Sequence, residues 1–128
     1  MKRLLPLLVL LAACNPHLFA RSVPPPGAVG RLNTGHRWSE VTEGTVLAFT
    51  CEKYGSPCRS GKATSADPSI AEVLPASLAQ LYIDYTGQAG VVQESTFVIV
   101  GKKPGVTHIR VQAAQGHVDL KVTVLPAS

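Results

Sequence analysis

The sequence predicts an all-β chain, a sandwich of about seven strands preceded by a signal peptide and a proline-rich tether. Three observations predict it. Apolar residues recur at every second position over much of 37–124, the period of a strand with one buried face. Clusters of Gly, Pro, Asp and Ser interrupt those runs at short intervals, as in sandwiches and barrels. No segment of useful length carries an apolar stripe at helical period; the best candidate, 75–81, is two turns at most.

The strand-like runs are 37–41, 45–51, 70–74, 81–85, 95–100, 106–113 and 118–124. Glu43-Gly44, Tyr54-Gly55-Ser56-Pro57, Asp67-Pro68, Thr86-Gly87, Lys103-Pro104-Gly105 and Gln115-Gly116 separate them. Gly101 and Gly105 are expected to supply positive φ at strand ends, and Pro104 presets φ for a turn. The last two runs read as a hairpin. A two-residue loop at Gln115-Gly116 sets Ala113 opposite Val118, Val111 opposite Leu120 and Ile109 opposite Val122, with every apolar residue on one face. In that register Arg110 faces Lys121, Asp119 lies diagonal to Arg110, and His108 faces Thr123.

A chain of 128 residues allows one domain. With 45% hydrophobic and 16% charged residues it is not a disordered chain. The formal charge is +4, from 12 Lys and Arg against 8 Asp and Glu. Part of that excess is Lys2 and Arg3, which open an N-terminal targeting pattern. They precede the apolar run 4–11, which is far shorter than the roughly 20 residues a membrane-spanning helix needs. Charged start and short apolar core together mark a secretory signal peptide. Without residues 1–13 the net charge is +2, and no basic cluster with interleaved aromatics suggests nucleic acid as a partner.

Residues 14–35 read as a tether, and 36–128 as the folded domain. Val23-Pro24-Pro25-Pro26-Gly27 cannot pair in a central strand, because proline lacks the N–H donor. A polyproline segment of that length would hold the domain on the order of 50 Å from the membrane. Export places Cys51 and Cys58 in an oxidising compartment, where such a pair forms a disulfide. Their spacing departs from the C-x-x-C of redox couples, and no four-ligand zinc pattern accompanies them.

Catalytic patterns are absent from the sequence. His17, His36, His108 and His117 have no metal-like spacing. No serine sits in a G-x-S-x-G elbow, and there is no phosphate-cradling glycine loop. Asp67 suits a turn before Pro68 better than a carboxylate pair with Glu72. The chain is therefore read as a non-enzyme that needs no cofactor. Trp38, Tyr82 and Tyr85 are its candidate binding residues, expected to form an aromatic contact patch on the domain.

Leu11-Ala12-Ala13-Cys14 resembles the lipobox of bacterial lipoproteins at every position. The resemblance implies cleavage between Ala13 and Cys14 and a covalent lipid on Cys14. It also implies an anchor in the bacterial cell envelope, with Asn15 after the cysteine favouring the outer over the inner membrane. A second resemblance covers most of 40–125. Ser65-Ala66-Asp67-Pro68-Ser69-Ile70-Ala71-Glu72-Val73 is similar to the S-x-D-P-S-V-A-x-V stretch of bacterial Ig-like domains of group 2. The stretches from Val100 to Val111 and from Asp119 to Val124 are similar to that family's later strands. Segment 74–96 is longer than the family pattern. The resemblance implies an Ig-like β-sandwich serving adhesion, or contact with a protein partner or surface glycan. An accessory structural role in a larger envelope complex is the alternative. Asn33-Thr34-Gly35-His36-Arg37-Trp38 resembles in part the Asn-Pro-Thr-Thr-Gly loop of chagasin-like protease inhibitors. It lacks the proline, however, and it is expected to precede the sandwich.

Overall fold

In the computed structural model, which describes residues 15–53, 56–83, 86–114 and 116–128, the alternating runs form two sheets packed face to face. The strands are β1 (His17–Ala20), β2 (Gly30–Asn33), β3 (Trp38–Thr42), β4 (Val46–Lys53), β5 (Ser56–Pro57), β6 (Lys62–Ser65), β7 (Ala71–Ile83), β8 (Ala89–Gly101), β9 (Gly105–Ala113) and β10 (Gly116–Leu125). The first sheet has the order β1-β4-β8-β7, with β5 also paired to β4; the second has the order β2-β3-β10-β9-β6. Among the described residues each sheet has five strands, against about seven expected in all. β3 and β10 run parallel, while the other adjacent strands are antiparallel.

Alternation explains the core. Leu47, Phe49 and Cys51 of β4 face inward, as do Phe97 and Ile99 of β8. From the other sheet come Val41, Ile109, Val111, Val118, Leu120, Val122 and Val124. Phe49 and Phe97 are cross-strand partners whose rings lie 5.6 Å apart at 33°. A tilted pair at that distance adds about 1 kcal/mol beyond the area it buries.

The expected tether is part of the sandwich. β1 pairs with β4 and buries Leu18 to 3% exposure, while β2 pairs with β3 and packs Leu32 on the core. The domain therefore begins well before residue 36. The proline-rich stretch is the loop that carries the chain from the first sheet to the second. Proline suits that place because a crossover needs no ladder donors. Polar contacts fix it: Arg21 Nε donates to Thr50 Oγ1 at 2.9 Å, and Arg21 Nη2 lies 3.2 Å from Glu52 Oε1. Further on, Val29 N donates to Thr42 Oγ1 at 2.7 Å and Thr42 N donates to Val29 O at 2.9 Å.

The terminal hairpin forms with its apolar face as expected, but two residues out of the expected register. Ala113 pairs with Gly116, Val111 with Val118, and Ile109 with Leu120. A shift of two preserves which residues face inward. It also places Arg110 directly opposite Asp119 instead of Lys121 and His108 opposite Lys121 instead of Thr123. The observed register replaces a like-charge pair with an ion pair, which is the physical reason to prefer it.

Segment 70–85 also differs from expectation. Its two short strands and the helical candidate between them are one strand, β7, paired with β8 from Ala71–Gly101 to Ile83–Ala89. Pro75 is tolerated because β7 is an edge strand. Gly105 has φ +154°, as its turn requires, but Gly101 serves close packing. A Cβ there would stand 2.9 Å from the Thr42 carbonyl oxygen and 3.2 Å from Val41 Cγ1.

The Ser65–Val73 motif builds the crossover from β6 to β7. Ser65 Oγ donates to Ala71 O at 2.6 Å, and Asp67 Oδ1 accepts from Ser69 N at 3.0 Å and Ser69 Oγ at 2.6 Å. These bonds hold the Asp67 carboxyl below its usual range, with the Ser69 hydroxyl the largest cause. Asp67 N also donates to Thr107 Oγ1 at 3.0 Å, which ties the crossover to β9.

Candidate binding surface

The outer face of the second sheet collects the exposed polar residues. On β3, Ser39 and Val41 are buried, so Trp38 and Glu40 face outward. On β10 the inward residues are Val118, Leu120, Val122 and Val124, so His117, Asp119, Lys121 and Thr123 face outward. The same alternation turns His108, Arg110 and Gln112 of β9 to solvent. Register assembles them into rows. Asn33 lies beside Trp38, Trp38 beside Lys121, and Lys121 beside His108. Arg31 lies beside Glu40, and Glu40 beside Thr123.

Trp38 is half-buried and borders a shallow depression of about 320 Å³ with Arg37, Glu40, Lys121 and Thr123. A second depression, about 390 Å³, lies across the same face between Thr64 and the Arg110–Asp119 pair. The turn before β3 is firmly set: His36 N donates to Asn33 Oδ1 at 2.9 Å, and Lys121 N donates to Arg37 O at 2.9 Å. Arg37 adopts φ 56° there.

The electrostatics are mixed, with basic residues ahead. Arg31, Lys62, Arg110 and Lys121 stand against Glu40 and Asp119. Arg110 Nε and Nη2 donate to the two Asp119 oxygens at 2.8 and 3.2 Å. That pairing holds the Asp119 carboxyl below its ordinary value and raises Arg110. His117 Nε2 lies 3.8 Å from Asp119 and adds to the same effect when protonated. A flat face with one indole and several donors and acceptors can stack on an apolar ring face and bond to surrounding hydroxyls. Among the described residues, no group of three or more His, Cys, Asp or Glu is placed to hold a metal ion.

The other sequence-derived candidates are placed as follows. Cys51 and Cys58 form a disulfide, with Cα atoms 5.4 Å apart. It closes the β4–β5 turn, and both cysteines are buried. Trp38 and Tyr82 belong to different sheets, so the structure does not gather them into the single patch expected. Ala13, Cys14 and Tyr85 lie outside the described residues. Segment 33–38 links β2 and β3 instead of preceding the sandwich; the proline of the inhibitor loop is absent, and neither of that family's other two inhibitory loops is evident in the sequence. Sequence reading missed Glu40, Lys121 and Thr123 as neighbours of Trp38. Alternation marks each as outward, but only the parallel β3–β10 pairing brings them together.

No protein-family model and no curated protein matches the chain. Among solved structures it is similar to domains 4 and 5 of the S-layer protein SbsC, at TM-score 0.46 and 19% identity over 87% of this chain and 47% of that one. It is also similar to a structure of domains 1–6 of surface layer protein SbsC, at TM-score 0.48 and 19% identity over 80% of this chain and 14% of that one. A third, of SbsC domains 5–6, has TM-score 0.43 and 20% identity over 87% of this chain and 45% of that one. The chain thus spans less than half the length of each of these three structures.

Proposed function

We propose that this chain is a lipid-anchored protein of the bacterial cell envelope, in the outer membrane, whose non-catalytic Ig-like module holds a surface glycan or an envelope protein against its second sheet. The observation that carries the binding reading is the Trp38–Lys121 surface. It offers an exposed part of an indole beside Lys121, Glu40 and Thr123 on a rigid sheet. The anchor reading rests on Leu11-Ala12-Ala13-Cys14, which gives Cys14 a covalent lipid after cleavage behind Ala13. The basic excess on the face favours a partner with negative charge, through long-range attraction.

Binding of the membrane-extracted protein to an array of envelope glycans, and cross-linking in cells, would test the proposal and separate its two kinds of partner. Trp38→Ala is expected to weaken binding by at least tenfold, about 1.4 kcal/mol or more, while the melting temperature holds. Unchanged binding by Trp38→Ala would overturn this surface as the site. A fixed protein cross-linked at Lys121 with no glycan bound would favour the accessory role in a larger complex. Intact mass of the extracted chain tests the anchor: loss of residues 1–13 with added acyl mass supports it, and an unmodified Cys14 removes it.

A further inference from the structure

The Trp38 depression is one end of a longer track. Trp38 of β3, Lys121 of β10 and His108 of β9 are successive cross-strand neighbours. Beyond His108 lies the second depression, lined by Thr64, Ser65 and the Arg110–Asp119 pair. The crossover after β6 is fixed against that end, since Ala66 N donates to His108 O at 2.9 Å. From β3 to β6 is three strand steps. At about 4.8 Å per step the track is roughly 14 Å long, the span of about three linked pyranose rings.

Charge along the track is uneven. Arg31, Arg37, Lys62, Arg110 and Lys121 stand on or beside this face against Glu40 and Asp119, with His36, His108 and His117. Arg110 is spent on Asp119. Arg37 and Lys121 form no ion pair among the described residues, and Arg37 is the least of the causes that lower Asp119. Both line the Trp38 depression. The backbone sets them together: Lys121 N donates to Arg37 O at 2.9 Å, and Lys121 lies beside Trp38. Arg37 takes φ 56° to do so, a left-handed conformation that arginine seldom adopts. Glu40 lines the same depression one outward step along β3, beside Arg31 and Thr123.

An indole with two cations and no ion pair between them suits a ring that carries an acid group. Sugar rings have an apolar face for the indole and hydroxyls for the surrounding donors and acceptors. A peptide docks along a sheet edge, in an apolar helix groove or in an aromatic-lined groove. A polar track that crosses four strands is none of these. We infer that the track holds a linear acidic glycan, with one ring on Trp38, its carboxylate or phosphate between Arg37 and Lys121, and the following rings across His108 toward Thr64. The inference rests on the Trp38 reading above and selects the glycan over the envelope protein as its partner.

The test titrates the full membrane-extracted chain with β-1,4-linked tetramers that differ at C6 alone: cellotetraose, the glucuronate tetramer, and cellotetraose phosphorylated at C6. The acidic tetramers are expected to bind at least tenfold tighter than cellotetraose at low salt, about 1.4 kcal/mol or more. Added salt should narrow that gap, because both cations are exposed. The tighter of the two acidic tetramers identifies the acid group. Lys121→Gln and Arg37→Asn are each expected to remove most of the preference while cellotetraose binding and the melting temperature hold. Asparagine is chosen because it tolerates the left-handed backbone. If one variant fails to fold, the other decides. The glucuronate dimer is expected to bind at least tenfold more weakly than the tetramer, and His108→Ala to weaken the tetramer alone.

Equal affinity for acidic and neutral tetramers, or a preference that survives both substitutions, overturns the inference. Equal affinity for dimer and tetramer overturns the track. If Trp38→Ala weakens every tetramer and neither cation variant matters, the Trp38 surface stands and the inference fails. If Trp38→Ala changes nothing, the surface and the inference fail together. Binding of none of these sugars also overturns it, and a protein cross-linked at Lys121 then takes the glycan's place.

Discussion

Arg110 and Asp119 illustrate how a residue pair selects a register. Both candidate registers of the β9–β10 hairpin bury the same apolar set, so hydrophobic patterning cannot choose between them. Charge can, because one register opposes Arg110 to Lys121 and the other opposes it to Asp119. The Asp119 carboxyl is held below its ordinary value near 3.8 by Arg110. A depressed folded-state pKa contributes stability above the unfolded value and loses it as pH falls through the folded one. Asp119→Asn is therefore expected to lower the unfolding midpoint slightly at neutral pH. The difference from the wild-type chain should close as the solution is acidified through and below the lowered pKa of Asp119. Denaturant titrations at the two pH values check this, and a gap that stays constant would assign the effect to something other than ionisation. Both groups are well exposed, so the effect stays small.

At the scale of elements, the strands with one buried face were legible, β8 only over 95–100 and β7 only as the separate runs 70–74 and 81–85, and the short strands were not. β3, β4, β9 and β10 were each found to within a few residues, because one face of each is buried along its length. β1, β2 and β6 are four residues each and carry little periodic signal of their own. They are strands because β4, β3 and β9 offer them a ladder. β7 was hidden for a different reason: Pro75-Ala76-Ser77 breaks its pattern, and pairing with β8 outweighs local propensity. Trp38 was legible as a binding candidate by its type, whereas its neighbours come from a long-range parallel pairing. The disulfide was legible from compartment and spacing. It closes a sequence separation of 7, and by chain entropy it stabilises the fold by about 2 kcal/mol. Cys51→Ala with Cys58→Ala is expected to lower the unfolding free energy by about that amount in urea titrations. A loss below about 0.5 kcal/mol would show that the β4–β5 turn holds without the bridge.

For the molecule as a whole, the decisive difference is that the N-terminal segment is shared between the sheets. β1 covers one edge of the first sheet, and β2 covers one edge of the second. Removing both exposes β4 and β3 as new edges and strips Leu18 and Leu32 from the core. A chain of residues 36–128 is thus expected to lose cooperative unfolding or to aggregate, while 15–128 melts in one transition. Calorimetry of the two decides it. Equal melting temperatures would mean that the first two strands only decorate the sandwich.

The parallel pairing of β3 and β10 has a mechanical side. The chain enters the sandwich near Asn15 at one end, and β10 runs out at Leu125 at the other. Tension between those ends acts along the strands. β10 is held by β9 on one side and, from Lys121 to Leu125, by β3 on the other. Drawing β10 out would shear both ladders at once, many bonds sharing the load, where peeling would break them singly. A force applied between the two ends is therefore met by both ladders together.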